Sequence, residues 1–138
     1  LVRPIERLAQ NLYISPPAVS QVAALGAFDG VDELEANKRV YAENRALLLD
    51  QLPKAGLDRI VPADGAFYLY VDVGAFTSDS VALTREMLAD LGIAATPGVD
   101  FDAERGGRYV RLCYAGTTAD MAEAAQRLQG WSRLKRRG

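Results

Sequence analysis

Residues 109–116 read YVRLCYAG, a pattern typical of a β-strand. Side chains alternate between the two faces of a strand, so Tyr109, Arg111 and Cys113 share one face and the even-numbered residues share the other. An arginine in the middle of so apolar a strand must find an anion or reach water. Spacing alone leaves two interpretations open: an edge-strand arginine that reaches water, or a guanidinium that binds a carboxylate through two parallel hydrogen bonds.

The residues around this strand alternate between strand and helix patterns. Aromatic and β-branched residues predict further strands over 59–62, 66–73 and 93–96. Ser78 predicts the start of a helix that Gly92 closes, and Thr117 predicts the start of the last helix. The inward positions expected in the first of these two helices are Val81, Thr84, Leu88 and Leu91.

The first half of the chain has helical periodicity. A helix is expected from Pro4, and Ser15 is a good N-cap for a second helix that stops near residues 29–30. The longest helix is expected from Asp32 to Leu52. The order of elements predicts an α+β fold, in which a small, mostly antiparallel sheet is covered by helices and preceded by further helices.

Composition excludes several classes of protein. Of the 138 residues, 49% are apolar and 25% are charged, as in soluble globular proteins, and the net charge of −2 does not suggest a nucleic-acid binder. The absence of histidine excludes Ser-His-Asp triads, Cys-His dyads and Cys/His zinc sites within this chain. The single Cys113 cannot form an internal disulfide, and no apolar run approaches the roughly 18 residues of a membrane span. We therefore expect a cytoplasmic location, with neither nucleic acid nor membrane as a partner.

Two polar motifs match known functional patterns only in part. The acidic loop 100–104 has the odd-position spacing of a calcium loop, but Arg105 and Arg111 occupy the positions of the turn glycine and the final glutamate. We expect a solvated loop there and no metal site in the chain. Ser132 and Lys135 form S-x-x-K, which acts in penicillin-binding proteins only beside two tripeptides that this sequence lacks.

Three segments together carry a family resemblance. Residues 65–69 read GAFYL, residues 95–101 read ATPGVDF, and YVRLCYAG follows at 109–116. In this order and spacing they resemble the C-terminal part of class I/II pyridoxal-phosphate aminotransferases of fold type I, whose pattern is G-A-F-Y, then P-G-x-x-F, then R-x-S-F/Y-A. Residues 14–17, ISPP, resemble the family's segment just after the cofactor lysine region. The departures are Asp102, where many members have glycine, and Cys113, where serine is usual.

The resemblance implies roles for three residues. Arg111 would hold the α-carboxylate of an amino acid or 2-keto acid substrate, and Phe67 would border the active site. Tyr13 lies in a segment that approaches the partner's active site in the family's homodimers, although ordinary packing at a helix end stays open for it. The cofactor implied is pyridoxal 5'-phosphate, and the activity implied is that of a transaminase.

The resemblance also implies what this chain lacks. Family members bond the cofactor to a lysine upstream of the matching region, and none of Lys38, Lys54 and Lys135 has a matching position. We therefore expect no catalytic and no cofactor-binding residue in this chain, which would be inactive alone. Residues 1–30 would be the helical end of the large cofactor-binding domain, and residues 31–138 the small C-terminal domain with its long linking helix.

A second class of function stays open. A free-standing α+β ligand-binding or regulatory domain would use Arg111 to bind an amino acid without catalysis, and a scaffold piece without a ligand is a third interpretation. The sequence opens with Leu1 rather than methionine, which favours a piece of a longer protein.

Overall fold

The computed structural model describes residues 1–134 and divides into two compact units, one over Leu1–Asn37 and one from Lys38 onward. The predicted domain boundary lies at residue 30 instead, before the long helix, and it stays a prediction. Lys135, the second member of the S-x-x-K motif, lies outside the described residues.

The first unit contains α1 (Val2–Leu12), α2 (Ala18–Gly26) and the first turns of α3 (Val31–Gln51). Neither α1 nor α2 has a buried side chain. The N-cap of α2 is Pro17 and not the predicted Ser15. The reason is local: a residue before proline is driven towards extended backbone, so two consecutive prolines delay the helix.

The second unit holds the rest of α3, which ends in a 3-10 turn over Leu52–Ala55, and the helices α4 (Ser80–Leu91) and α5 (Thr118–Gly130). Asp79 caps α4 by accepting a hydrogen bond from the Ala82 amide at 3.0 Å. The predicted ends at Gly92 and Thr117 are confirmed, because Gly92 closes α4 with a left-handed φ of 66° and Thr117 caps α5. The prediction that Ser78 caps α4 is wrong by one residue, because the carboxylate of Asp79 is the group that reaches the Ala82 amide.

Three strands form the sheet of the described residues: β1 (Tyr68–Asp72), β2 (Thr96–Pro97) and β3 (Tyr109–Cys113). They lie in the order β1-β3-β2, and both pairs are antiparallel. The α+β class with a small antiparallel sheet is therefore confirmed.

The predicted strand over 59–62 is wrong. Its residues form one isolated bridge, between Ile60 and Val71, with single hydrogen bonds on either side. Pro62 follows at once and has no N–H to continue the pairing, which limits this segment to a short contact along the outer edge of β1.

One face of the sheet belongs to the hydrophobic core and the other face is polar and aromatic. The core face is formed by alternate residues of β1 and β3, which pack against α3, α4 and α5. The fully buried members of this core include Leu52, Leu69, Val71, Leu83, Met87 and Val110. Leu88 of α4 was expected inward but is 55% exposed, since the buried stripe of this helix runs through positions 80, 83, 84 and 87.

Asn44 joins α3 to the end of β3. Its side chain is completely buried, and its amide nitrogen donates to the carbonyl oxygens of Tyr114 at 3.0 Å and Gly116 at 2.9 Å. Tyr114 in turn donates its hydroxyl to the carbonyl oxygen of Ala66 at 3.1 Å. These bonds fix the segment that leads into β1 beside the end of β3. No helix within residues 1–134 has the length and apolar character needed to cross a membrane.

Candidate functional site

Arg111 lies at the centre of the polar face of the sheet. Tyr70 of β1 is its partner on one side and Thr96 of β2 is its partner on the other. The interpretation of Arg111 as an edge-strand residue is therefore wrong, because strands flank it on both sides. Its side chain is half-buried between these strands.

Neutral groups surround the guanidinium of Arg111. Its Nη2 donates to the Thr96 hydroxyl at 3.3 Å, and its Cζ lies 5.1 Å from the ring centre of Tyr68 and 4.8 Å from that of Phe101. Within residues 1–134, no carboxylate forms an ion pair with it. A guanidinium has five N–H donors, so most of them remain available to a bound anion.

Arg108, three residues earlier, has the carboxylate partner that Arg111 lacks within residues 1–134. Arg108 pairs with the carboxylate of Asp72, and its Cζ lies 5.9 Å from the ring centre of Tyr109. The charge of Arg108 is thus compensated within the fold, whereas no carboxylate of residues 1–134 compensates the charge of Arg111.

A cavity of about 490 Å³ opens beside Arg111. Its other lining groups are the rings of Tyr68, Tyr70 and Phe101 and the loop over 61–66. Among the described residues of this lining, Arg111 is the one cation and Asp64 is the one acid. The volume lies in the usual range for small-molecule sites. An apolar wall with a single half-buried cation is suited to a small organic carboxylate.

Two glycines allow the turn after β2 to press against the sheet. A Cβ on Gly98 would lie 2.5 Å from the carbonyl oxygen of Gly106 and 2.7 Å from the Tyr70 hydroxyl. A Cβ on Gly106 would lie 2.3 Å from the Gly98 carbonyl carbon. This close approach places Phe101, whose amide donates to the Gly98 oxygen at 2.9 Å, over the cavity.

A row of rings supports the same wall. Tyr70 stacks on Tyr109 with ring centres 4.8 Å apart, and it meets Phe101 edge to face at 6.4 Å. The Tyr70 hydroxyl is buried without a hydrogen-bond partner in the described structure. Burial raises the pKa of Tyr70, and the nearby carboxylate of Asp102 adds to this effect. Tyr70 is therefore neutral at physiological pH.

Neither Phe67 nor Tyr13 is among the described residues that line this cavity. Phe67 immediately precedes β1, is 49% exposed and contacts the ring of Tyr68 edge to face at 5.9 Å, but it does not line the cavity. Tyr13 follows α1 in the first unit, and its ring is exposed. The roles of Phe67 and Tyr13 stay predictions.

Sequence reasoning missed the rings of Tyr68, Tyr70 and Phe101 as parts of the site. The alternation of β1 places Tyr68 and Tyr70 on one face, but only the pairing with β3 shows that this is the face of Arg111. Phe101 lies in the quoted 95–101 segment, where its position near Arg111 depends on the turn at Gly98.

The described residues do not fit pyridoxal phosphate as a covalently held cofactor. Among residues 1–134, no lysine lines the Arg111 cavity. Lys54 pairs with Asp50 at 2.7 Å on the surface, and Lys38 lies on the exposed side of α3. A search of residues 1–134 finds no cluster of acidic, cysteine or histidine side chains suited to a metal ion.

Comparison with known proteins places these features in a family. Residues 1–128 match the protein family described as "Aminotransferase class I and II". A valine–pyruvate aminotransferase of Mycobacterium tuberculosis is 48% identical over 133 residues, which are 95% of this chain and 34% of that protein. A (5-formylfuran-3-yl)methyl phosphate transaminase of Methanocaldococcus jannaschii is 31% identical, over 94% of this chain and 34% of its own length.

A solved structure extends the likeness to the backbone. The crystal structure of an aminotransferase from Mycobacterium tuberculosis superposes with a TM-score of 0.82 at 48% identity, covering 94% of this chain and 34% of the other. The chain thus spans about a third of the length of the relatives that it matches.

Proposed function

Since the chain belongs to the class I and II aminotransferases, we propose that it carries the substrate-carboxylate site of an enzyme that transfers an amino group between an amino acid and a 2-keto acid. The observation that carries this proposal is Arg111, a half-buried cation on the central strand that opens on a cavity and has no carboxylate partner within residues 1–134. A bidentate pair would compensate its charge and fix the orientation of the substrate head group.

The chain supplies binding and orientation, and the chemistry of amino transfer resides elsewhere in the enzyme. Full-length members of the family use pyridoxal phosphate, which provides the electron sink for the reaction. We infer that the lysine and the phosphate-binding groups for this cofactor come from sequence outside this chain, which is inactive alone. Arg111 holds the substrate carboxylate, Phe67 borders the active site, and Tyr13 reaches towards a partner subunit in a homodimer.

The substrate that we propose has an apolar side chain. The wall of the cavity is mostly apolar and aromatic, and it contains one cation, which the α-carboxylate would occupy. The relative from Mycobacterium tuberculosis that is 48% identical is named for valine and pyruvate, both of which carry one carboxylate. A second carboxylate would find no further cation among the described residues of this lining and would share the cavity with Asp64. A cytoplasmic location stays a prediction.

The alternative is a free-standing domain that binds an amino acid without catalysis. It is favoured by the fact that the whole lining of the cavity lies within residues 61–111 and so within the second unit. The two proposals agree on Arg111 and differ in whether carboxylate binding leads to amino transfer.

A chimeric enzyme separates the two proposals. This chain would replace the matched third of the Mycobacterium tuberculosis relative, and transamination between valine and pyruvate would be measured beside the cofactor spectrum. We expect an active chimera, and Arg111→Ala should lower kcat/KM by on the order of 3 kcal/mol of transition-state stabilisation while the cofactor stays bound. Arg85→Ala is the matched control, because Arg85 is exposed on α4 and is not among the described residues that line the cavity.

Two results would contradict the proposal. One is a folded chimera that binds the cofactor but transfers no amino group, which would favour the binding domain. The other is equal activity in the native and Arg111→Ala chimeras, which would remove the carboxylate role from Arg111.

A further inference from the structure

We propose that Tyr68 and Phe101 are positioning residues that hold the guanidinium of Arg111 between their rings, with its free N–H donors directed to the cavity. This inference rests on the proposed carboxylate role of Arg111. It adds two residues whose effect on substrate is exerted through Arg111 and does not require contact with the substrate.

The two rings reach Arg111 from different elements. Tyr68 belongs to β1, where it pairs with Cys113 and so lies diagonally across from Arg111. Phe101 follows the turn after β2, on the other side of the central strand. The Cζ atom lies over both rings, at 5.1 Å and 4.8 Å from their centres, within the range of cation–π attraction. Two rings carried by different elements therefore lie against one guanidinium.

Aromatic rings suit this task better than a carboxylate would. A ring attracts the flat face of a guanidinium and leaves the N–H groups at its edge free. A carboxylate would occupy that edge and compete with substrate, as the pairing of Arg108 with Asp72 illustrates. Thr96 accepts from one nitrogen only, at 3.3 Å. The two rings therefore stabilise the charge without blocking its binding edge.

Phe101 is itself held in place. Its ring meets Tyr70 edge to face, and Tyr70 stacks on Tyr109. The turn that carries it is fixed by the contact between Gly98 and Gly106. Arginine has many rotamers to lose on binding, so a preformed orientation raises affinity by reducing that entropic cost.

Arginine side-chain NMR on the 138-residue chain tests the proposal. The Nε–Hε signal of Arg111 is assigned from its loss in Arg111→Lys, and the chain is titrated with pyruvate as a carboxylate probe. We expect the native signal to be shifted upfield by the ring currents of Tyr68 and Phe101, and to move as pyruvate binds. Tyr68→Leu and Phe101→Leu should each reduce the upfield shift and weaken pyruvate binding by about threefold or more.

Conservative variants distinguish positioning from a general effect on folding. Tyr68→Phe and Phe101→Tyr keep a ring and should retain the native affinity for pyruvate. Leu88→Ala is the control, since Leu88 is exposed on α4 in the same unit and is not among the described residues that line the cavity, so it should change neither the Arg111 signal nor the affinity. Tyr68 is 37% exposed and Phe101 is 56% exposed, so neither belongs to the buried core, and the signals of core methyl groups report whether each variant is folded.

The outcomes separate this inference from the proposed function. Native pyruvate affinity in both folded leucine variants would overturn the positioning role and leave the carboxylate role of Arg111 intact. An Arg111 signal without an upfield shift in the native chain would also overturn it. If pyruvate binds the native chain without moving the Arg111 signal, the carboxylate role fails and the positioning role fails with it.

Discussion

The carboxylate of Asp72 accepts two hydrogen bonds from the guanidinium of Arg108, at 2.8 Å from Nη2 and 3.3 Å from Nε. A third bond comes from the Gly74 amide at 2.8 Å. Asp72 is only 12% exposed, so this pair joins the end of β1 to the start of β3 in a partly dry environment. It stabilises the same two strands that present Tyr70 and Arg111 on their shared face.

The Asp72 pair predicts a loss of stability in acid. Burial alone would raise the pKa of Asp72, but hydrogen bonds from Arg108 and Gly74 outweigh it and lower the pKa below 3.8. The unfolded chain therefore binds the proton more readily, and the contribution is complete above about pH 4 and lost as pH falls through the folded pKa. Asp72→Asn should cost about 1 kcal/mol of unfolding free energy at pH 7, and the difference should shrink below pH 4.

Urea unfolding at pH 7 and pH 3 measures this effect. Asp50→Asn is the control, because Asp50 pairs with Lys54 on the open surface and should contribute less. A difference between native and Asp72→Asn protein that stays constant across this pH range would show that the pair does not stabilise the fold.

Asn44 is predicted to be a large contributor to stability. Its buried amide satisfies two carbonyl oxygens at the end of β3, and truncation would leave both without that donor. We expect Asn44→Ala to lower the free energy of unfolding by about 2–3 kcal/mol, whereas Glu43→Ala on the exposed side of α3 should change it by less than about 0.5 kcal/mol. Denaturant titration compares the two, and a similar small effect from both would refute the prediction.

The glycine at position 98 is predicted to control both stability and the site. A Cβ there would overlap the Gly106 oxygen and the Tyr70 hydroxyl, so Gly98→Ala must push the turn away from the sheet. We expect a loss of about 1–3 kcal/mol of stability, accompanied by weaker pyruvate binding as Phe101 moves. Gly130→Ala, with nothing within 4 Å of the added Cβ, should leave pyruvate binding unchanged. Calorimetry measures the stability of each variant, and the titration measures its affinity for pyruvate. Native stability and native affinity in Gly98→Ala would contradict the close approach of the turn to the sheet.

Short-range signals were sufficient for much of the fold. The caps at Gly92 and Thr117 depend on groups within one helical turn, and the alternation of β3 depends on adjacent residues, so each could be predicted from a few positions. The buried face of α4 could not be predicted in this way, because it depends on which side of the helix packs against the sheet. That is why Leu88 was assigned to the wrong face.

The candidate site depended on contacts between distant parts of the sequence. Arg111 was identified from its own strand and from the family resemblance. Tyr68 and Phe101 reach it only through the β1–β3 register and the turn after β2. Neither relationship is encoded by a local pattern, since the register of paired strands is set by the packing of a whole face.

The chain is predicted not to bond pyridoxal phosphate at a specific lysine. Lys54 is exposed and paired with Asp50, and Lys38 is exposed on α3. No lysine in the described part of the chain lines the Arg111 cavity. Incubation with the cofactor, borohydride reduction and peptide mass mapping should show at most weak, distributed labelling. One lysine labelled stoichiometrically, with a matching visible absorbance, would refute this and place cofactor chemistry within the chain.

Replacement of Arg111 by lysine tests whether two parallel hydrogen bonds are needed. Lysine keeps the positive charge but presents it as a compact ammonium, which cannot match the two oxygens of a carboxylate or lie flat between two rings. In the chimeric enzyme we expect Arg111→Lys to lower kcat/KM at least about tenfold, equivalent to about 1.4 kcal/mol, with the cofactor spectrum unchanged. The loss should be smaller than in Arg111→Ala because the charge is retained. Steady-state kinetics with valine and pyruvate measure it; equal kcat/KM for the arginine and lysine enzymes would mean that charge alone binds the carboxylate.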